Sequence, residues 1–318
     1  MPLLPLQKIQ AITVARAYFI DRKTKSQIAD EMTISRFRVA RILDNAIERG
    51  LVKFVIAEQE DIDIALSQQL TKKFGLHQAV VMVGPDLPAS ALTQQLGVLG
   101  AAALEELLMP GMSVGVASGR VLSAVADALT HLPVLDVVQA AGAQPGMEFS
   151  HNSIELIHRI ANISGGKAHP IYIPMWVDNE ETARNLLREP SVAAVHERYN
   201  HLDVLITGIG SWNPPASCMF TTFPDDWRRQ VLAAGVCADI CTTIVDKHGQ
   251  VVPSPLDKLS LSMRDEQVRN VPEVVAIAGG QEKYGAIAAA LIGKWVTTLI
   301  TDAGTARYLL ALDPLPLK

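Results

Sequence analysis

The stretch SQIADEMTISRFRVARILDNAIERGLVKFVI, Ser26 to Ile56, sets the reading of this chain. Ile28, Ala29 and Met32 share one face of a short helix that Thr24 can cap. Ser35 then suits the N-cap of a second helix, in which Val39, Ile42, Leu43 and Ile47 form the apolar stripe and which Gly50 ends. A supporting helix precedes both in LQKIQAITVARAYFID, where Ile9, Ile12, Ala15 or Arg16, and Phe19 recur at helical spacing. Two short helices joined by a tight turn after a supporting helix make a helix-turn-helix. Ala29 is small, as a helix crossing requires. Thr33 occupies the turn position where Gly is common, at a cost of ~1 kcal/mol or more if it is left-handed.

The exposed face of this helix carries Arg36, Arg38 and Arg41. Arginine bonds guanine bidentately or clamps phosphate, and Ser35 at the helix start can add a phosphate contact. After Gly50, LVKFVI reads as a strand, one side of a wing, with Lys53 available for phosphate. A solvated charged face would carry similar residues. The coincidence of turn, small residue, aliphatic plugs and arginines favours double-stranded operator DNA as the partner. The pattern SQIADEM.ISR..VARIL..A...GLVKFVI resembles the head of SorC-family bacterial regulators, the sugar-binding DeoR-like regulators. That family usually places Pro-Thr or similar after Ser-Arg. Phe37-Arg38 stands there in this chain, so no operator sequence carries over.

Charge is split the same way. Residues 1–57 hold ten Lys and Arg against five Asp and Glu, in a chain of net charge −5, so the remainder is strongly acidic. Only the head is expected to meet a polyanion. With 318 residues, 49% hydrophobic and 19% charged, two domains fit: residues 1–57 for DNA, and 58–318 for effector binding and oligomerisation. Three cysteines, Cys218, Cys237 and Cys241, are odd in number and lack zinc spacing, so they are expected to be buried and inert in a reducing cytosol. No metal or cofactor is expected. The start lacks a signal-peptide core, and no apolar run reaches membrane-spanning length, so a cytoplasmic protein without a membrane partner is expected.

Beyond the acidic EQEDIDI, Glu58 to Ile64, IALSQQLTKKFGL reads as an amphipathic helix ending at Gly75, packing on the body or pairing subunits. Strands are expected in AVVMV, MSVGVA, VLDVVQA, HPIYIP, DVLITGIG, DICTTIVD, VVAIAG and VTTLIT. Helices such as 91–108, 120–129, 151–163 and 282–292 lie between them. The alternation implies an α/β domain on a largely parallel sheet, in which ligands bind beyond the carboxyl ends of the strands.

Four strand-end blocks stand out. In GVASGRVLSAVADAL, Ser118, Gly119 and Arg120 sit where a helix start can hold an anion, although many plain turns look alike. In AAGAQPG, Gly142 allows close approach and Gln144 can donate and accept, or the block is a connecting loop. In ITGIGS, Gly208, Gly210 and Ser211 expose amides or form a tight turn. Asp239 and Lys283, in AGVCADIC and AGGQEKYGAI, suit polyhydroxyl and phosphate groups at a cleft, or form a structural pair. Thr301 and Asp302 read first as a helix cap and second as pocket lining.

In order, over residues 60–312, these blocks together with LITDAGTARYLL resemble the SorC-family effector domain. The resemblance implies a Rossmann-like fold like that of the glucosamine-phosphate and ribose-phosphate isomerase superfamily. It also implies a sugar, polyol or sugar-phosphate effector. Asp239 would hold a hydroxyl and Lys283 a polar or phosphate group, with the turns at 118–120 and 208–211 cradling phosphate. Ala238 and Ala141-Gly142 depart from the family pattern. A homo-oligomer is expected, dimer or tetramer, because paired half-sites multiply affinity. The reading is a regulator of carbohydrate genes and not an enzyme. A sugar-phosphate isomerase with an accessory head is the alternative, and it lacks a convincing base-and-acid set.

Overall fold

The computed structural model describes residues 5–52, 61–85, 87–144 and 153–313, and the chain divides into two compact units, residues 1–58 and 59–318. In the first unit α1 (Pro5–Phe19), α2 (Lys25–Glu31) and α3 (Arg36–Glu48) pack on one small core of Val14, Ala15, Ile28, Ala29, Val39 and Leu43. Each short helix starts at a bonded cap. Thr24 and Gln27 form a reciprocal capping box, and the Ser35 hydroxyl accepts from the Arg38 amide at 3.2 Å.

Two expected stripes are displaced. On α1, Ile9 is 62% exposed and Ile12 is also exposed, while Ala11, Val14 and Ala15 are buried. The small residues give α1 its close approach, and the larger isoleucines fall outside the contact. On α3 the buried set is Val39, Leu43 and Ala46. Ile47 lies one residue past Ala46, about 70° from the centre of that seam, and is exposed. The strand expected over Leu51–Ile56 falls mostly outside the described residues, as does Lys53; Leu51 and Val52 form a bend.

Thr33 is left-handed, with φ +54°. Its β-branched side chain is costly there. Thr33→Gly is therefore expected to stabilise the protein by about 1 kcal/mol. Chemical denaturation followed by helical circular dichroism checks this, and an unchanged midpoint would refute it.

The second unit comprises α4 (Ile64–Phe74), β1 (Gln78–Met82), α5 (Ala89–Leu107), β2 (Ser113–Val116), α6 (Arg120–Ala128), β3 (Asp136–Gln139), α7 (Ser153–Ser164) and β4 (Lys167–His169). Next come α8 (Glu180–Arg188), α9 (Pro190–Arg198), β5 (Val204–Thr207), β6 (Ile209–Ser211), α10 (Cys218–Thr222), α11 (Asp225–Ala233), β7 (Val236–Ile240) and β8 (Thr243–Asp246). The unit closes with α12 (Leu256–Leu259), α13 (Asp265–Asn270), β9 (Glu273–Ile277), α14 (Tyr284–Ile292), β10 (Thr298–Asp302) and α15 (Ala303–Ala311).

Seven strands form a parallel sheet in the order β1-β10-β9-β5-β2-β3-β4. Alternation sends Leu205, Ala276 and Leu299 to one face, where residues of α4, α9, α14 and α15 cover them. Val204, Ile206, Val275 and Ile300 go to the other, under α5, α6 and α7. Burial on both faces explains the near-continuous aliphatic strands. α4 ends at left-handed Gly75, and its Lys73 ammonium donates to the Leu310 and Leu312 carbonyls, so it packs on the body.

Three expected strands come out differently. DVLITGIG divides at Gly208 into β5 of the large sheet and β6 of a second, antiparallel sheet ordered β6-β7-β8. DICTTIVD is a hairpin, with the tail of β7 joined to β8 through Cys241 at φ +56°. HPIYIP overlaps β4 only at His169; beyond it the chain makes just a bridge between Pro174 and Ala143. Apolar runs of this length do not reveal a turn inside them. Residues 281–283 form a 3-10 turn before α14, where helix was expected from Glu282.

Candidate functional site

The sheet order reverses between β2 and β5. From β2 the chain builds outward through β3 and β4, then returns to β2's other side and continues through β5, β9 and β10. At such a switch point the loops leave in opposite directions and open a crevice. Here the crevice is a cavity of about 320 Å³, lined by the segments after β2, β5 and β9, by one face of the β6–β8 sheet, and by the start of α5.

Several expected residues meet there: Ser118, Gly119 and Arg120 after β2; Gly208 and Gly210 after β5; Gln144; Asp239 on β7; and Lys283 after β9. Gly119 has φ +144° and caps α6 without a side-chain bond, and Ser118 to Val121, at the start of that helix, line the cavity. The Arg120 side chain is exposed at the rim. Gln144 is buried and donates to Thr222 Oγ1 at 2.8 Å.

Two residues lie off the cavity lining. Gly142 packs where an added Cβ would meet the Pro174 carbonyl at 2.4 Å, and its amide donates to Ser262 Oγ. Ser211 is buried and donates to the Pro214 carbonyl at 2.8 Å, holding a turn. Both serve the backbone.

Asp239 is 8% exposed. Its Oδ1 accepts from Trp212 Nε1 at 2.7 Å, and the Ser217 hydroxyl bonds the same carboxylate. Burial pushes its carboxyl above the usual range, against the pull of those two bonds and of the Lys283 charge. Gly210 stands opposite Asp239 in register, and a Cβ there would lie 2.2 Å from Oδ1. The absence of a side chain at 210 is what leaves room for the carboxylate.

The Lys283 side chain is half-buried, and its ammonium donates to the Ile209 carbonyl at 2.7 Å, not to Asp239. Burial pulls it below the usual lysine range; Arg120 adds to that pull and Asp239 opposes it. A carboxylate and an ammonium thus face one cavity without neutralising each other by direct contact. Both keep hydrogen-bonding capacity for hydroxyl or oxyanion groups.

Sequence reasoning missed Trp212, which is 1% exposed and orients Asp239 from 27 residues away, and Ser217. It also missed Leu92, Thr93 and Leu96 on the first turns of α5, and Cys218. Trp212 directly follows the ITGIGS block, and a lone tryptophan beside a strand-end glycine pair was the available signal. The cysteines are free and half-buried; burial raises the Cys237 thiol and pushes that of Cys241 up to about 12, consistent with low reactivity. Asp302 caps α15 through the Thr305 amide at 2.9 Å and also accepts from the Gly280 amide. Among the described residues no His, Cys, Asp and Glu cluster could hold a metal ion, and no helix is long and apolar enough to cross a membrane.

In the first unit, Arg36, Arg38 and Arg41 are all exposed on α3, and no ion pair holds them among the described residues. The Ser35 hydroxyl is committed to the helix cap. Lys53 lies outside the described residues.

Similarity to known proteins extends over both units. The family model Sugar-bind, described as "Putative sugar-binding domain", matches residues 60–311. The sorbitol operon regulator of Klebsiella pneumoniae is 28% identical over 304 residues, covering 94% of this chain and 96% of its own. The deoxyribonucleoside regulator of Bacillus subtilis is 26% identical over 302 residues, with 94% and 96% covered. The crystal structure of the full-length regulator SorC from Klebsiella pneumoniae superposes with a TM-score of 0.74 at 26% identity, over 95% of this chain and 99% of that one.

Proposed function

Because this chain belongs to the SorC family of sugar-binding transcriptional regulators, we propose that it binds operator DNA through α3 and releases or tightens that grip when a sugar phosphate occupies the cavity. The observation that carries the reading is the cavity at the β2–β5 switch point. There Asp239 and Lys283 face one space beside the start of α6. Asp239 suits a pair of hydroxyls. Lys283, Arg120 and the helix-start amides suit a phosphate. Relatives named for sorbitol and deoxyribonucleosides support a carbohydrate-type effector and the control of carbohydrate genes.

The chain acts as a homo-oligomer, which presents two or more heads to paired half-sites. The effector binds one arrangement of those heads better and shifts the population. A coupling of about 1–3 kcal/mol changes operator occupancy roughly 5- to 150-fold. The protein catalyses no turnover: Asp239 is tied to Trp212 and Ser217, and Lys283 to Ile209, so neither is placed as half of a proton-transferring pair.

Thermal melts of the full-length chain against a panel of sugars, polyols and their phosphates test this. A phosphorylated compound is expected to raise the melting temperature more than its unphosphorylated parent and to change duplex affinity at least fivefold. A panel that leaves melting unchanged, or product formation at enzymic rates, would overturn it.

A further inference from the structure

Phe37 is the most exposed large apolar side chain among the described residues, at 88%. It stands in the first turn of α3, between Arg36 and Arg38. Helix geometry says where it points. At about 100° per residue, Phe37 and Arg41 lie roughly 160° from the centre of the seam formed by Val39, Leu43 and Ala46, while Arg38 lies roughly 110° from it on one side and Arg36 roughly 50° on the other, both exposed. In the first turn the middle of the outward face is therefore apolar, and Arg41, Asp44 and Glu48 continue that line along the later turns. No ring or cation contact holds Phe37 among the described residues.

We propose that Phe37 reads thymine in the operator, its ring packing on a thymine C5-methyl on the floor of the major groove. This rests on the proposed DNA-binding function. The N-terminal residues of a recognition helix are those that reach base edges. Most features of that floor are hydrogen-bond donors and acceptors, which a phenyl ring cannot satisfy. The thymine methyl is the apolar exception. Arg36 and Arg38, on the flanks, reach toward the phosphates or neighbouring guanines and hold the ring against the floor. A second copy of the same face is a poor occupant, because its arginines would repel these.

The test begins with selection of binding duplexes from a randomised pool by the full-length chain. The selected duplex is then made with each thymine replaced in turn by deoxyuridine, which removes only the methyl. Wild type is expected to lose roughly three- to fivefold in affinity at one or two positions per half-site, from the burial of about one methyl each. Phe37→Ala is expected to bind the unmodified duplex more weakly and to show no penalty at those same positions. Phe37→Leu should retain part of it. Matching melting temperatures establish that the exposed-site variants are folded.

An enriched duplex whose deoxyuridine penalties are identical in wild type and Phe37→Ala would overturn the thymine contact while leaving DNA binding standing. So would a loss in Phe37→Ala confined to step-dependent bending, which would mark a wedge between bases. A pool that does not enrich would overturn both readings.

Discussion

Asp239→Asn is expected to make the free protein more stable at pH 7 and, in the same variant, to weaken effector binding by tenfold to a hundredfold. Both effects come from one carboxylate. Its burial holds the charged form at a cost, which is why its carboxyl lies above the usual range. Asparagine keeps an oxygen to accept from Trp212 Nε1, so the 2.7 Å bond survives while the buried charge does not. A gain of about 1 kcal/mol, or roughly 2–4 °C, is expected.

The pH dependence has a definite sign. A folded-state value above the unfolded one means that the folded wild type binds its proton more tightly, so its stability falls as pH rises from 3.8 through the folded value. The asparagine variant lacks that loss. Its advantage is full above the folded value, shrinks as pH drops through it, and vanishes below 3.8. The effector loses a charge-assisted acceptor for its hydroxyls, worth about 1.5–3 kcal/mol. Melting curves across pH, with and without the stabilising sugar phosphate, report both. Unchanged effector affinity would remove Asp239 from the binding surface. Gly210→Ala reaches the same end sterically, since its Cβ would press on the carboxylate that Trp212 holds.

The second large effect is on DNA. Arg36→Glu combined with Arg38→Glu is expected to reduce operator affinity by roughly a thousandfold or more, because two attractive interactions become repulsive. The salt dependence should flatten as well, by about 0.9 in log–log slope for each phosphate that is no longer neutralised. Folding should not suffer. Both side chains are exposed, and the cap bond from Arg38 uses its backbone amide. The first turn of α3 holds no acidic residue, so glutamates there meet the positive end of the helix favourably. Fluorescence anisotropy at several salt concentrations measures it. An affinity within threefold of wild type, with the fold intact, would move the DNA-reading surface off α3.

Legibility in the sequence followed the range of the interaction. The caps at Thr24 and Ser35, the left-handed Thr33 and Gly75, and the parallel strands each depend on neighbours within a few residues or on one continuous pattern. The seam on α1 did not, because its apolar residues surround the helix and only packing selects Ala11, Val14 and Ala15 over Ile9 and Ile12. The hairpin inside DICTTIVD hid for a similar reason: no glycine marks its turn, and Cys241 adopts the left-handed backbone instead.

By itself the sequence determined a capped helix-turn-helix with arginines on its outer face, a basic head on an acidic body, and glycine-bearing turns at the ends of buried strands. These are local matters of periodicity, capping and charge. Only the tertiary structure decided which turns share a cavity. Gly119 and Gly210 face it, while Gly142 and Ser211, in blocks that read the same way, pack against Pro174 and Pro214. Strand order makes that choice, by setting β5 beside β2 and carrying Asp239 to Gly210 and Trp212. A one-dimensional pattern specifies which residues a strand buries; it holds no record of which strand lies alongside.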